Sequence, residues 1–141
     1  MRDLKNIKFW LFDLDNTLIG NDSDYLWGEF LCENNYVDVD AYRNGHDAYY
    51  QDYLNGQLDI DAFLKFQLQP LALQPIAVLK EWRSRYLSEK ILPVMLPAAK
   101  QLVEKHRKSG HTLMIITATN RFLTQPIADL LNVTHLIACE P

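Results

Sequence analysis

The chain has 141 residues, 48% of them apolar, and a net charge of −4, a globular composition of single-domain size with room for a small subdomain at most. The acidic balance gives no reason to expect a nucleic acid or an anionic membrane surface as partner, and no apolar run approaches the roughly 20 residues of a membrane span. Asp3, Lys5 and Lys8 interrupt the N-terminus before a secretory apolar run can build, and Cys32 and Cys139 share no close spacing, so free thiols and a cytoplasmic location are expected.

Taken in chain order, residues 7–14, IKFWLFDL, form a nearly continuous apolar and aromatic run. Such a run reads as a parallel strand buried on both faces. From about Gly20 to Pro93 no strand-like run occurs. Ser23–Asn34, Val39–Leu54, Ile60–Leu73 and Pro75–Ile91 each read as helices, with Asp38 and Asp59 as N-caps and Asn55-Gly56 and Pro70 to Pro75 as punctuation. Pro97–Lys108 reads as a further helix with a basic last turn, ended by Ser109-Gly110. Residues 111–119, HTLMIITAT, give a second buried strand, and 134–141, THLIACEP, a weaker third. The segment RFLTQPIADLLNV between them is helical in pattern. Pro126 fits only a first turn, which predicts a regular start near Thr124 or Gln125. The βαβ order implies an α/β fold with a parallel, doubly wound sheet and an all-helical insert after the first strand.

Charge is unevenly spread. Residues 20–61 hold ten acidic side chains against Arg43 alone, and residues 80–108 hold eight basic side chains against three acidic. Two solvated helical faces account for this pattern. His46, His106, His111 and His135 do not have a metal-ligand spacing.

Ligands of parallel α/β sheets bind beyond the carboxyl ends of the strands. Asp13, Asp15 and Thr17 stand at the end of the first strand, and Thr117, Ala118, Thr119 and Asn120 at the end of the second. Thr117 brings a hydroxyl, and the amides from Ala118 onward lead into a helix N-terminus, a natural anion site. A phosphate between these clusters would face carboxylates on one side, so the arrangement calls for a cation such as Mg²⁺. One carboxylate can then attack phosphorus while the other serves as acid and later as base. Residues two apart on an extended strand project to the same side, which suits Asp-x-Asp for that division of roles.

FDLDNTLI resembles the DxDx[TV] signature of the haloacid dehalogenase (HAD) superfamily of phosphatases, and IITATN resembles its second motif. GNDSDYLWGEFL, TATNRFLTQPIA and LIACEP are similar to subfamily IB, phosphoserine phosphatase-like or histidinol-phosphatase-like. The resemblance spans essentially the whole chain. It implies a HAD-like (Rossmannoid) α/β core from residues 1–19 and 94–141, with a helical type-1 cap from residues 20–93. It implies Asp13 as nucleophile and Mg²⁺ ligand, and Asp15 as general acid/base with its carbonyl on the metal. It implies Thr117, Ala118 and the Asn16 amide as phosphate-binding groups. Asp22 stands where phosphoserine phosphatases carry a glutamate that reads the substrate amine, and its shorter side chain speaks against serine phosphate. Arg43, the lone early cation of the cap, is a second specificity candidate.

Two later motifs of the family, a lysine and a strand ending in an acidic pair, have no counterpart in these residues. The reading is therefore the N-terminal part of a Mg²⁺-dependent phosphatase of a small phosphorylated metabolite, truncated and of weak or no turnover. The alternative is a catalytically dead fragment that serves as a phosphate-binding or interaction module. In the family the first strand is central, so FWLF is expected to become an open edge that invites self-association.

Overall fold

The computed structural model describes residues 8–141. Asp3, Lys5 and Ile7, on which part of the N-terminal reading rests, lie outside them. The order of elements is β1 (Phe9–Asp13), α1 (Ser23–Glu33), α2 (Val39–Leu54), α3 (Ile60–Ala72), α4 (Ile76–Tyr86), α5 (Pro97–Lys108), β2 (Thr112–Asn120), α6 (Arg121–Leu130) and β3 (His135–Cys139). No described helix is long and apolar enough to cross a membrane.

The three strands form one parallel sheet in the order β1-β2-β3. Phe9 lies opposite Thr112, Asp13 opposite Ile116, and Met114 opposite His135. Side chains alternate between faces along each strand. Phe12, Leu113 and Ile115 are buried on one face, and the ring of Trp10 lies 4.0 Å from that of His106 on α5. Phe9, Leu11, Ile116 and Ile137, which the register places on the other face, are all exposed. Two right-handed crossovers in a 1-2-3 order put both connecting helices, α5 and α6, on the same face. The expectation that FWLF is buried on both sides is thus corrected: Phe9 is 57% and Leu11 60% exposed. Among the described residues β1 has a strand neighbour on one side only.

Four helices end by the same device. After α1, α2, α5 and α6, a residue with positive φ (Asn35, Gly56, Gly110, Asn132) turns the chain. The two amides that follow each helix then bond back to its last turn, as Gly110 N does to Arg107 O (3.0 Å) and His111 N to His106 O (3.1 Å). In α5 this closure brings two imidazoles together, with Nδ1 atoms 2.9 Å apart. Arg107 donates to the Leu131 and Asn132 carbonyls and so holds the end of α6.

Two helix limits differ from the sequence reading. Helix α6 begins at Arg121, because the Asn120 side chain accepts from the Leu123 amide and caps it there. Pro126 is therefore inside the helix, where it removes one amide from the ladder. Helix α4 ends at Tyr86 and gives way to a π-helical turn, Leu87–Ile91, and a 3₁₀ turn, Leu92–Val94. Pro93 has no amide to continue a regular ladder.

The chain divides into two compact units. One comprises the residues up to Trp27 and from Arg85 onward and contains the sheet. Within it the chain leaves and returns beside itself: Gly20 N donates to Val94 O (2.7 Å), and Ile19 pairs with Met95. Trp27 packs edge-on to Tyr86, ring centres 5.2 Å apart. The other unit, Gly28–Ser84, is helical. Its interior is aromatic: Tyr36 stacks on Trp82 at 3.9 Å, and His46 sits among Tyr42, Phe63 and Phe66. Burial lowers the His46 pKa below the ordinary imidazole value, with Asp47 opposing.

Candidate active site

Strand β1 ends at Asp13, and the following turn folds tightly on itself. The amides of Thr17, Leu18 and Ile19 all reach the Leu14 carbonyl, at 3.0–3.2 Å. Leu14, Leu18 and Ile19 are buried, which anchors the turn while the Asp13 side stays exposed. The Asp13 carboxylate is oriented from both ends: Oδ1 accepts from Leu14 N (2.9 Å), and Oδ2 accepts from the Thr17 hydroxyl (3.2 Å). Asn16 occupies the left-handed region at φ 55°. Its amide donates to Asn21 O (3.0 Å), which closes the turn.

Asp15 is the hub. Its Oδ1 accepts from Ser23 N (2.6 Å), and its Oδ2 accepts from the hydroxyls of Thr117 (3.1 Å) and Thr119 (3.2 Å). Residues a hundred positions apart are joined here because β1 and β2 are parallel neighbours whose carboxyl ends coincide. On β2, Thr117 and Thr119 are buried and Ala118 between them is exposed, the alternation of an extended strand. Thr117 Oγ1 also accepts from Thr119 N (3.1 Å), and the Ser23 hydroxyl donates to Thr119 Oγ1 (3.2 Å). The Tyr86 hydroxyl donates to Ser23 O (2.7 Å), which ties the start of α1 into the same network.

Of Asp13, Asp15 and Thr117, which the sequence reading set at neighbouring strand ends, Asp15 and Thr117 share a hydrogen bond and Asp13 ends the adjacent strand β1, opposite Ile116. That reading did not single out Thr119 or Ser23 for a role. Thr119 was findable, since it lies two residues beyond Thr117 on the same strand face. Ser23 had no such signal, because its place depends on how the turn after β1 folds back. Asp22 is the N-cap of α1, its Oδ1 accepting from Tyr25 N (2.8 Å). Arg43 is in the helical unit, where it pairs with Glu29 at 3.8 Å.

The region is strongly acidic. Burial, followed by the charges of Asp22 and Asp15, raises the Asp24 pKa to about 7. Burial, then Asp24, Asp15 and Asp22, pushes the Tyr86 phenol above its ordinary value. Asp24 therefore holds a proton in the folded chain over a pH range in which the unfolded chain has released it. Between the unfolded value near 3.8 and the folded value near 7, stability falls as pH rises. Asp24→Asn, neutral at every pH, is expected to melt higher than wild type at pH 8, with the gap closing as pH approaches 4. Thermal melts of both proteins across that range check it; a gap independent of pH would overturn the assignment.

No group of three or more His, Cys, Asp or Glu side chains among the described residues is arranged to hold a metal ion. The nearby oxygen donors, Asp13 carboxylate and Asp15 carbonyl, are of the hard type that suits Mg²⁺, which takes one or two carboxylates and completes its shell with water and substrate phosphate.

The haloacid dehalogenase-like hydrolase family profile matches residues 10–141. The chain is 39% identical over 137 residues to a histidinol-phosphatase of Neisseria meningitidis serogroup C (strain 8013), covering 97% of this chain and 61% of that protein. Among solved structures it is similar to a protein of unknown function from Bordetella pertussis Tohama I, with a TM-score of 0.88 at 34% identity over 96% of this chain and 62% of that one. A phosphoserine phosphohydrolase-like protein from Francisella tularensis subsp. tularensis SCHU S4 shares the fold, with a TM-score of 0.61 at 19% identity over 94% of this chain and 57% of that one. The chain thus spans about three-fifths of the length of these relatives. With the parallel sheet, the helical insert and both strand-end clusters in place, the chain belongs to the haloacid dehalogenase-like hydrolase family.

Proposed function

We propose that this chain carries the nucleophile and the acid/base of a Mg²⁺-dependent phosphatase acting on a small phosphomonoester, with residues 20–93 as its cap. The observation that carries the reading is the hydrogen bond from Thr117 to Asp15 Oδ2, which sets a buried hydroxyl beside that carboxylate. The histidinol-phosphatase relative supports the same reaction class.

In this reading the Asp13 carboxylate attacks phosphorus in line with the leaving oxygen. The phosphorus–oxygen ester bond breaks as the aspartyl-phosphate bond forms. Asp15 gives its proton to the departing alkoxide, then takes one from the water that cleaves the acyl phosphate, restoring Asp13 and releasing phosphate. Thr117 and the Ala118 amide receive the phosphoryl oxygens. Asp13 and the Asp15 carbonyl would hold Mg²⁺, whose charge offsets the repulsion between carboxylate and phosphate. Asp22 and Arg43 remain the proposed selectors of the substrate's non-phosphate end. The cytoplasmic location expected from the sequence suits a metabolite phosphatase. Association of two copies through the free side of β1 belongs to the same proposal, and a monomer by gel filtration at high concentration would remove it.

Turnover of p-nitrophenyl phosphate, weak as the sequence reading expects, should be detectable with Mg²⁺ and is expected to vanish with excess EDTA. Phosphate release that proceeds equally well in EDTA would sink the proposal. Binding of phosphate without any turnover would favour the phosphate-binding module instead.

A further inference from the structure

We propose that Thr119 and Ser23 are positioning residues for Asp15, holding its carboxyl group toward the leaving oxygen once substrate has claimed Thr117. The inference rests on the phosphatase reading above. Asp15 Oδ2 is shared by two hydroxyls, those of Thr117 and Thr119. Thr117 is the one that phosphate would recruit, and a hydroxyl has a single proton to donate. When Thr117 turns to a phosphoryl oxygen, Oδ2 loses that donor and keeps Thr119. Oδ1 keeps the Ser23 amide at 2.6 Å. The carboxyl group is then held at both oxygens, and the position vacated on Oδ2 faces the phosphate.

The chemistry of the restraint suits a group that changes protonation state. A hydroxyl donates to a carboxylate and accepts from a carboxylic acid by rotating its own hydrogen. A backbone N–H or a guanidinium offers only the donor role. Thr119 has a second hydroxyl behind it, that of Ser23, at 3.2 Å. Ser23 is fully buried and Thr119 nearly so, so water does not substitute for either. The Tyr86 hydroxyl on Ser23 O, at 2.7 Å, fixes the backbone that carries both Ser23 contacts. Thr119 N, by bonding Thr117 Oγ1 at 3.1 Å, keeps the two threonines in register.

The test uses the leaving group. p-Nitrophenolate departs as a stable anion and needs little proton donation, whereas the alkoxide of glycerol 2-phosphate needs a proton. The quantity to compare is kcat/KM, which reports only steps up to formation of the phosphoenzyme. General acid catalysis is worth roughly 10²–10⁴-fold, so Thr119→Val is expected to lose about 10- to 100-fold on glycerol 2-phosphate and at least about 5-fold less on p-nitrophenyl phosphate. Thr119→Ser, which keeps the hydroxyl, restores the ratio of the two substrates. Ser23→Ala, which keeps the amide bond to Oδ1, shows the same bias at smaller size and stands in if Thr119→Val does not fold. Equal losses on both substrates, or failure of Thr119→Ser to restore the ratio, would overturn the positioning role and leave the phosphatase reading intact. A wild-type protein that hydrolyses neither substrate would overturn that reading, and the positioning role with it.

Discussion

Replacing Asp13 by asparagine is expected to reduce p-nitrophenyl phosphate turnover on the order of 10³-fold or more, to the level of the buffer, because an amide cannot form the acyl phosphate. The substitution is close to isosteric. Its amide oxygen can still accept from Leu14 N, and the side chain is exposed, so the fold loses little. The measurement is therefore a rate at matched melting temperature. Full activity in Asp13→Asn would remove the nucleophile assignment, and a loss that tracks unfolding would say nothing in its favour.

The second large effect is on stability. Ile115 lies at the centre of β2, with no exposed surface, and its register partners are Phe12 and Leu136. Truncation to alanine leaves a cavity on the face that α5 and α6 cover, and is expected to cost about 3 kcal/mol, or roughly 10 °C in Tm. Ile116 is the next residue but points to the other face and is 41% exposed. The same truncation there is expected to cost well under about 1 kcal/mol. Paired thermal melts of Ile115→Ala and Ile116→Ala check both values together. Similar losses at the two positions would contradict the one-sided packing of the sheet. Thr117 and Thr119 share the buried face with Ile115, so the same layer that packs the core also aims the site's hydroxyls.

Much of this was legible before the structure. Period and punctuation placed three strands and the helices between them, because apolar runs mark the strands and the Asn or Gly after α1, α2, α5 and α6 tolerates the positive φ that ends those helices. Asp38 and Asp59 cap α2 and α3 as expected, accepting from Ala41 N and Ala62 N. The misplaced limits have local causes. For α6, Pro126 was weighed more heavily than the cap at Asn120, and a capped helix tolerates one missing donor. For α4, the period did not register the switch to a wider turn before Pro93.

The site divides in the same way. That Asp13 and Asp15 sit at a strand end, and Thr117 at another, follows from sequence, because chain order and strand parallelism leave those ends on one edge. Which atoms meet does not. The Asn16 amide closes a turn, Ser23 N reaches back to Asp15, and Thr119 shares Oδ2 with Thr117. A shift of a few tenths of an ångström would break any of these contacts, whether across the local turn, as for Asn16 and Ser23, or between strands remote in sequence, as for Thr119. Hydrogen-bond geometry is that sensitive, while residue type and spacing are not. The sequence by itself determined the class of fold, the family and which polar residues stand at the strand ends, since these depend on pattern. Only the tertiary structure decided that one face of the sheet is packed and the other open, and that Asp15, held at both oxygens, is the centre of the site.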